Sequence, residues 1–208
     1  MTNTSDGAAR AVYIVTDIEA DGPDPGPNSM ISLASVARDE EGRDLGTFTI
    51  NFATLEGAAP DPGTMDWWSG HPFEWQQATE APVEPGAAIR AWADWALSHA
   101  GTPVFVSHPV SFDGAWIDYY LQRFMARRLF IRPRDPGIFH GTGIDIPSMV
   151  MAATGWSYLD CKREKYPREW FGGHQHTHHA LQDVLGYAHL FGLLRRGEIR
   201  AGVTPIAA

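Results

Sequence analysis

Two carboxylates stand two residues apart at the end of a short apolar run: Asp17 and Glu19 in AVYIVTDIEA. A strand repeats its side every second residue, so both acids project to one side a few ångströms apart, and like charges at that spacing require a cation. Emergence from a run as apolar as VYIV sets the pair beside the core, where unpaired charge is costly. Taken alone, the pair would also suit a solvent-facing strand end. A third carboxylate, Asp113 in FVSHPVSFDGAW, follows the apolar PVFVS and precedes a helix. With Phe112 as its anchor it can reach the same region, although Asp is equally a common helix cap. The segment HTHHALQDVLGYAHLFGLLRR supplies Asp183 near the first turn of a helix, with His178 five residues earlier. That separation is too long for one helical face, so His178 belongs on the loop feeding the helix, where an imidazole can move protons near neutral pH. Four histidines crowd this stretch: His174, His176, His178 and His179. Imidazole is a good zinc ligand, but neither HExxH nor a Cys/His spacing is present, and the single cysteine, Cys161, can build neither an internal disulfide nor a thiolate zinc site.

These residues depend on elements that gather them. AVYIVTDIEA reads as a buried strand ending at the turn-forming DGPDPGPN. Residues 30–38 and 45–52 alternate and are joined by DEEGRD, so that 11–52 form a three-stranded antiparallel meander. Helical spacing is expected over 66–79, 86–99 and about 114–128, with a short strand at 103–107. GIDIPSMVMAATG reads as a strand running into a short helix. The last helix spans 180–196, with Leu181, Val184, Leu185, Ala188 and Phe191 on its buried stripe and Asp183 beside it. The fold class expected is α/β: a mixed sheet, antiparallel meander plus parallel strands, flanked by helices. The organisation expected is a leader over 1–10, one domain over 11–200 and a tail over 201–208.

In order and spacing, Asp17-Ile18-Glu19, Phe112-Asp113 and His178-x-Ala180-x-x-Asp183 resemble the three motifs of the DEDDh exonuclease family, which has the DnaQ-like, ribonuclease H-like fold. The resemblance runs from about residue 12 to 194, and IDIPSMVMAATG fits the family's strand-then-helix segment between the second and third motifs. SMISLASVA and MDWWSGHPFEW look most like bacterial stand-alone 3'-5' exoribonucleases. The resemblance implies hydrolysis of phosphodiesters from 3' ends, of RNA first and of DNA as the alternative. A catalytically silent nucleic-acid-binding module of the same fold is the remaining reading, and retention of all five motif residues speaks against it. It also implies substrate contacts near Ile18, Ala20, His108, Phe112 and Trp68. One departure bears on substrate: many relatives carry His-Asn before the second motif, whereas here Pro109 follows His108.

Four carboxylates without a thiol are hard oxygen ligands suited to two Mg²⁺, with Mn²⁺ as substitute. Asp17, Glu19 and Asp183 would hold one ion, Asp17 and Asp113 the second, and His178 would act as general base toward the attacking water. Trp67, Trp68, Trp75, Phe112 and Trp116 are candidates to stack a terminal base, with most tryptophans expected in the core.

Composition narrows the classes. A chain of 208 residues that is 44% hydrophobic and 20% charged can bury a core as one domain, which excludes disordered and collagen-like architectures. A net charge of −9 argues against sequence-blind duplex binding over a broad surface. Between Arg123 and Arg168, however, nine basic residues (Arg123, Arg127, Arg128, Arg132, Arg134, Lys162, Arg163, Lys165, Arg168) stand against four acids, a stripe suited either to limited phosphate contact or to solvation. No apolar run approaches the roughly 20 residues of a membrane span, and MTNTSDGAAR lacks a hydrophobic signal core, so a cytoplasmic protein without a membrane partner is expected. Eight tryptophans and ten phenylalanines are many for one small core, which points to a homodimer.

Overall fold

The computed structural model describes residues 10–133, 135 and 137–206; the expected leader, apart from Arg10, and Arg134 of the basic stripe lie outside the described residues. Three strands open the chain, β1 (Ala11–Ala20), β2 (Met30–Arg38) and β3 (Asp44–Asn51), paired antiparallel in sequence order. Strand β4 (Thr102–Ser107) then lies parallel to β1, and the two-residue β5 (Ile144–Asp145) parallel to β4, completing a sheet of order β3-β2-β1-β4-β5. This is the mixed sheet expected, flanked by six α-helices among the described residues: α1 (Pro62–Ser69), α2 (Pro72–Thr79), α3 (Pro85–Leu97), α4 (Val110–Met125), α5 (Ile146–Thr154) and α6 (Ala180–Arg195). None of them is long and apolar enough to cross a membrane.

Alternation along β1 divides the core. Val12, Ile14 and Ile18 pack beneath α3 and α4 with Trp92, Trp116 and Tyr120, whereas Tyr13 and Val15 face the other side, against Val184, Tyr187 and Phe191 of α6. Asp17 and Glu19 share the odd-numbered face of β1. The α3 side also carries polar groups: Thr16 Oγ1 lies 2.8 Å from Ser35 Oγ, which accepts from Trp92 Nε1 at 2.9 Å. These buried groups are mutually satisfied, as burial demands.

Local chemistry moves several boundaries. The single helix expected over 66–79 is two, α1 and α2, because the chain turns at Gly70-His71 and Pro72 starts a new first turn, where a missing N–H costs nothing. Asp61 caps α1 by accepting from the Thr64 N–H at 2.8 Å, and Glu84 caps α3 by accepting from Gly86 and Ala87. Helix α4 begins at Val110 rather than near Gly114, so Asp113 lies inside its first turn and is not the cap. On α6 the buried stripe is rotated relative to expectation: Asp183, Val184, Tyr187, Ala188, Leu190 and Phe191 are buried, while Leu181 and Leu185 are only partly so. Beyond α6, the backbone carbonyl of Val203 accepts from Trp156 Nε1 at 2.7 Å and Ile206 N–H donates to the Lys165 carbonyl at 2.9 Å, fastening residues 203–206 to the body.

Candidate active site

Strand β1 outruns β4. Their pairing stops at Val15–Val106, so Asp17 and Glu19 continue past the sheet on that side, where β4 turns through His108 and a cis peptide to Pro109 into α4. On the opposite edge they face only Ala34 and Ser32 of β2, small residues that leave space above the carboxylates. The first turn of α4 brings Asp113 to the same place, and its backbone is held there from below: Asp145 accepts from the Val110 N–H at 3.1 Å while also capping α5 through the Ser148 N–H at 3.0 Å. Helix α6 delivers Asp183 from the facing layer. Carboxylate oxygens of Asp17, Glu19 and Asp183 all lie within 4.8 Å of one another.

The electrostatics of this cluster are adverse without a cation. Burial first, then the charges of Asp113, Glu19 and Asp183, holds the Asp17 carboxyl well above the usual carboxylate range, with Arg163 opposing. Glu19 is raised well above its range by burial, Asp183 and Asp113. Asp113, 2% exposed, is pushed up to about 7 by burial, although the backbone N–H of Ile18 pulls the other way. Its Oδ2 is buried without a hydrogen-bond partner. A fold gains nothing from this arrangement by itself.

His178 lies on the loop before α6 with φ at +55°, a left-handed conformation uncommon outside glycine. Its ring meets Trp67 edge-on with centroids 4.5 Å apart and lies 5.1 Å from His71 and 4.1 Å from His176. Burial, then the neighbouring His176, lowers its pKa to about 4, so the ring is neutral at pH 7. The loop is fastened by Asp183, whose Oδ1 accepts from the Thr177 N–H at 3.1 Å. Its Oδ2 lies 2.8 Å from His176 Nδ1, so the imidazole in direct contact with Asp183 is that of His176.

A hollow beside Glu19 is lined by Ile18, Ala20, Thr64, Trp67, Trp68 and Phe112, which places four of the expected substrate contacts on one wall. Their roles differ. Trp68 is 2% exposed and donates from Nε1 to the Ala20 carbonyl at 3.0 Å, so its ring is core and braces the end of β1. Trp67 and Phe112, each 40% exposed, are the rings with accessible surface. Trp116 is buried and unavailable for stacking. His108 lies flat on Tyr187, with centroids 4.8 Å apart, and its Nε2 is 3.2 Å from the Tyr166 hydroxyl. Burial lowers its pKa to about 4.

The basic stripe does not act as a unit. Arg128 pairs with Asp118, Arg132 lies 3.7 Å from the same carboxylate and Arg127 donates to the Gly137 carbonyl, these three tying down the link after α4, while Arg123 donates to the Glu56 carbonyl in the loop after β3. Lys165 is paired with Asp160 at 2.7 Å. Arg163 and Arg168 instead line a groove that continues past Phe171 and His174 to His176, with the Arg163 guanidinium 4.2 Å over the Phe171 ring. Sequence reading named Arg163 only as one of nine basic residues and His176 only as one of four histidines, because a charge in a short 3₁₀ turn and one histidine among four carry no periodic signal.

No protein-family model matches the chain. Over 192 residues, 89% of this chain and 92% of the relative, it is 24% identical to the 3'-5' DNA exonuclease Cap18 of Escherichia coli. A structure of exonuclease I matches 91% of this chain with a TM-score of 0.64 at 14% identity. The zinc-bound E. coli exonuclease I complex with single-stranded DNA matches 89% with a TM-score of 0.60 at 16% identity. Exonuclease I of Methylocaldum szegediense matches 90% at 0.58 and 19%. The chain spans about two fifths of the length of these exonuclease I chains, 41%, 40% and 40% respectively.

Proposed function

We propose that this chain belongs to the DnaQ-like 3'-5' exonuclease superfamily and is a metal-dependent 3'-5' exonuclease hydrolysing the terminal phosphodiester of single-stranded 3' ends, with DNA as its first substrate. One observation carries the reading: Asp17, Glu19, Asp113 and Asp183 come from distant segments into one buried cluster whose carboxyl groups repel one another. Divalent cations remove that conflict, and the donor set suits them, being all oxygen with Asp113 Oδ2 unpartnered. Asp17, Glu19 and Asp183 would hold one Mg²⁺ or Mn²⁺ and Asp17 with Asp113 the second. Bound there, the pair supplies Lewis acidity at the phosphate and stabilises the attacking and leaving oxygens.

The chain's own groups do the rest. His178, neutral above pH about 4, would accept the proton of the attacking water, a reading supported by a ring nitrogen within 4.8 Å of an Asp183 oxygen. Trp67 and Phe112 flank the terminal base, while Arg163 and Arg168 meet the phosphates behind it, so an acidic protein can hold a polyanion with local positive charge. DNA stands first because Cap18 is a DNA exonuclease and exonuclease I binds single-stranded DNA in its complex. RNA is the second reading, through the likeness of SMISLASVA and MDWWSGHPFEW to stand-alone exoribonucleases. End-labelled single-stranded DNA, matched RNA and 3'-overhang duplexes are incubated with Mg²⁺ or with chelator. A ladder shortening from the 3' end of DNA, abolished by chelator, is expected; an equal or faster RNA ladder reverses the substrate order, and no ladder on any substrate overturns the reading.

A further inference from the structure

We propose that His176, His178 and Asp183 form a separate site for a transition-metal cation of borderline softness, Zn²⁺ being its representative, overlapping the carboxylate cluster only at Asp183. One ligand atom of each residue lies within 4.8 Å of the other two, and His176 Nδ1 is already 2.8 Å from Asp183 Oδ2. The HxAxxD spacing uses His178 and Asp183 and leaves His176 without a part, yet His176 is the imidazole in contact with the acid.

The donor chemistry separates the two sites. Two imidazoles and one carboxylate are a zinc-type set, three protein ligands with a fourth position open, whereas the Asp17, Glu19 and Asp183 oxygens are a magnesium-type set. In a tetrahedral site with bonds near 2.0–2.1 Å, ligand atoms stand about 3.3 Å apart. The His176–Asp183 contact therefore opens by about half an ångström on metallation, with His178 within 4.8 Å of both to complete the set. The exposed loop position of His176 permits this. The outer support is in place: Thr177 N–H holds Asp183 Oδ1, leaving Oδ2 to the imidazoles, and Trp67 fixes the His178 ring edge-on. Resting on the reading of His178 as general base, occupancy inhibits hydrolysis, because the cation takes the lone pair that would accept a proton and an oxygen from the magnesium set.

The test is Zn²⁺ affinity, measured without nucleic acid by competition with a chromophoric chelator in excess Mg²⁺, on the whole chain and on His176→Gln, His178→Gln and Asp17→Asn. Thermal melts of each variant check folding, and His176→Asn, His178→Asn or Asp17→Ser replaces the variant at the same position should it not fold. One Zn²⁺ per chain is expected, with affinity at least roughly tenfold weaker in either histidine variant and little changed in Asp17→Asn. Co²⁺ should give the intense visible absorption of tetrahedral coordination, lost in His176→Gln. Zinc weakened more by Asp17→Asn than by His176→Gln, or a weak octahedral Co²⁺ spectrum, assigns the ion to the carboxylates and overturns the site. A protein that binds zinc through His176 yet degrades no 3' end refutes the proposed exonuclease alone.

Discussion

Asp17 is where charge and burial oppose each other most directly, and its variants separate catalysis from folding. Replacing Asp17 or Asp183 with Asn keeps the shape and removes negative charge. Hydrolysis should fall at least about 10²-fold, several kcal/mol of lost transition-state stabilisation. Removing one repelling charge at Asp17 should leave the metal-free protein melting no lower than wild type. End-labelled turnover and a melt in chelator check both halves, and near wild-type turnover of either variant in saturating Mg²⁺ would sink the metal assignment. His178→Ala should lower turnover about 10²- to 10⁴-fold, the usual reach of general base catalysis. Calorimetric Mg²⁺ affinity should be retained. A comparable loss from His179→Ala with His178→Ala active would move the base by one residue.

At the scale of elements, α1 presents two adjacent tryptophans with opposite duties. Trp67→Ala or Phe112→Ala should raise the KM for a short oligonucleotide by about 5- to 150-fold, the 1–3 kcal/mol of one stacked base, and leave the melting temperature nearly unchanged. Trp68→Ala should instead destabilise by about 3–5 kcal/mol, because it empties a core position and frees the end of β1. Steady-state kinetics beside denaturant melts distinguish the pair; a KM effect confined to Trp68→Ala would mean the wrong ring was assigned to the substrate. The stripe of basic residues separates likewise, Arg127, Arg128 and Arg132 holding the link after α4 while Arg163 and Arg168 line the groove. Two phosphate contacts, from Arg163 and Arg168, predict a slope of log affinity against log salt near −1.4, and Arg163→Ala should reduce it by about 0.7. An unchanged slope removes Arg163 from the substrate path.

For the molecule as a whole, the buried acids set how stability depends on pH. Asp17, Glu19 and Asp113 have folded pKa values above their unfolded ones, so the folded state binds more protons and stability falls as pH rises toward and through the folded value, about 7 for Asp113. His108 and His178 act oppositely: their folded values of about 4 cost stability as pH drops from about 6.5, where the unfolded rings take up protons. Across about pH 4 to 6.5 the two effects oppose each other, and above 6.5 only the acids still act, so metal-free protein should have a lower melting temperature at pH 8 than at pH 6.5. Mg²⁺ should raise it more at pH 8. Melts in chelator and in Mg²⁺ test this, and metal-free stability that climbs from pH 6.5 to 8 would contradict the buried cluster. Of the aromatic residues whose number pointed to a homodimer, Trp68, Trp92, Trp116, Trp156 and Trp170 are buried within one chain, while Trp67, Phe73 and Phe112 are exposed.

Sequence alone determined the strands and the class of sheet, because both rest on short-range chemistry; the five motif residues were picked out by their resemblance to a family's motifs, with local chemistry adding only that alternation puts Asp17 and Glu19 on one face of β1 and that five residues keep His178 off the helix that carries Asp183. Local signals also located the helices, while missing the break at Gly70-His71 and the early start of α4, where proline chemistry sets the boundary. Tertiary structure alone decided that the carboxylates of Asp17, Glu19 and Asp183 converge, that Trp67 rather than Trp68 is accessible, that His176 touches Asp183, and that Arg163 joins the groove while Arg128 is bound to Asp118. The physical reason is that contact between residues far apart in the chain depends on which layer each element packs against and how far one strand outruns its neighbour. Periodicity reports only which side of its own element a residue occupies.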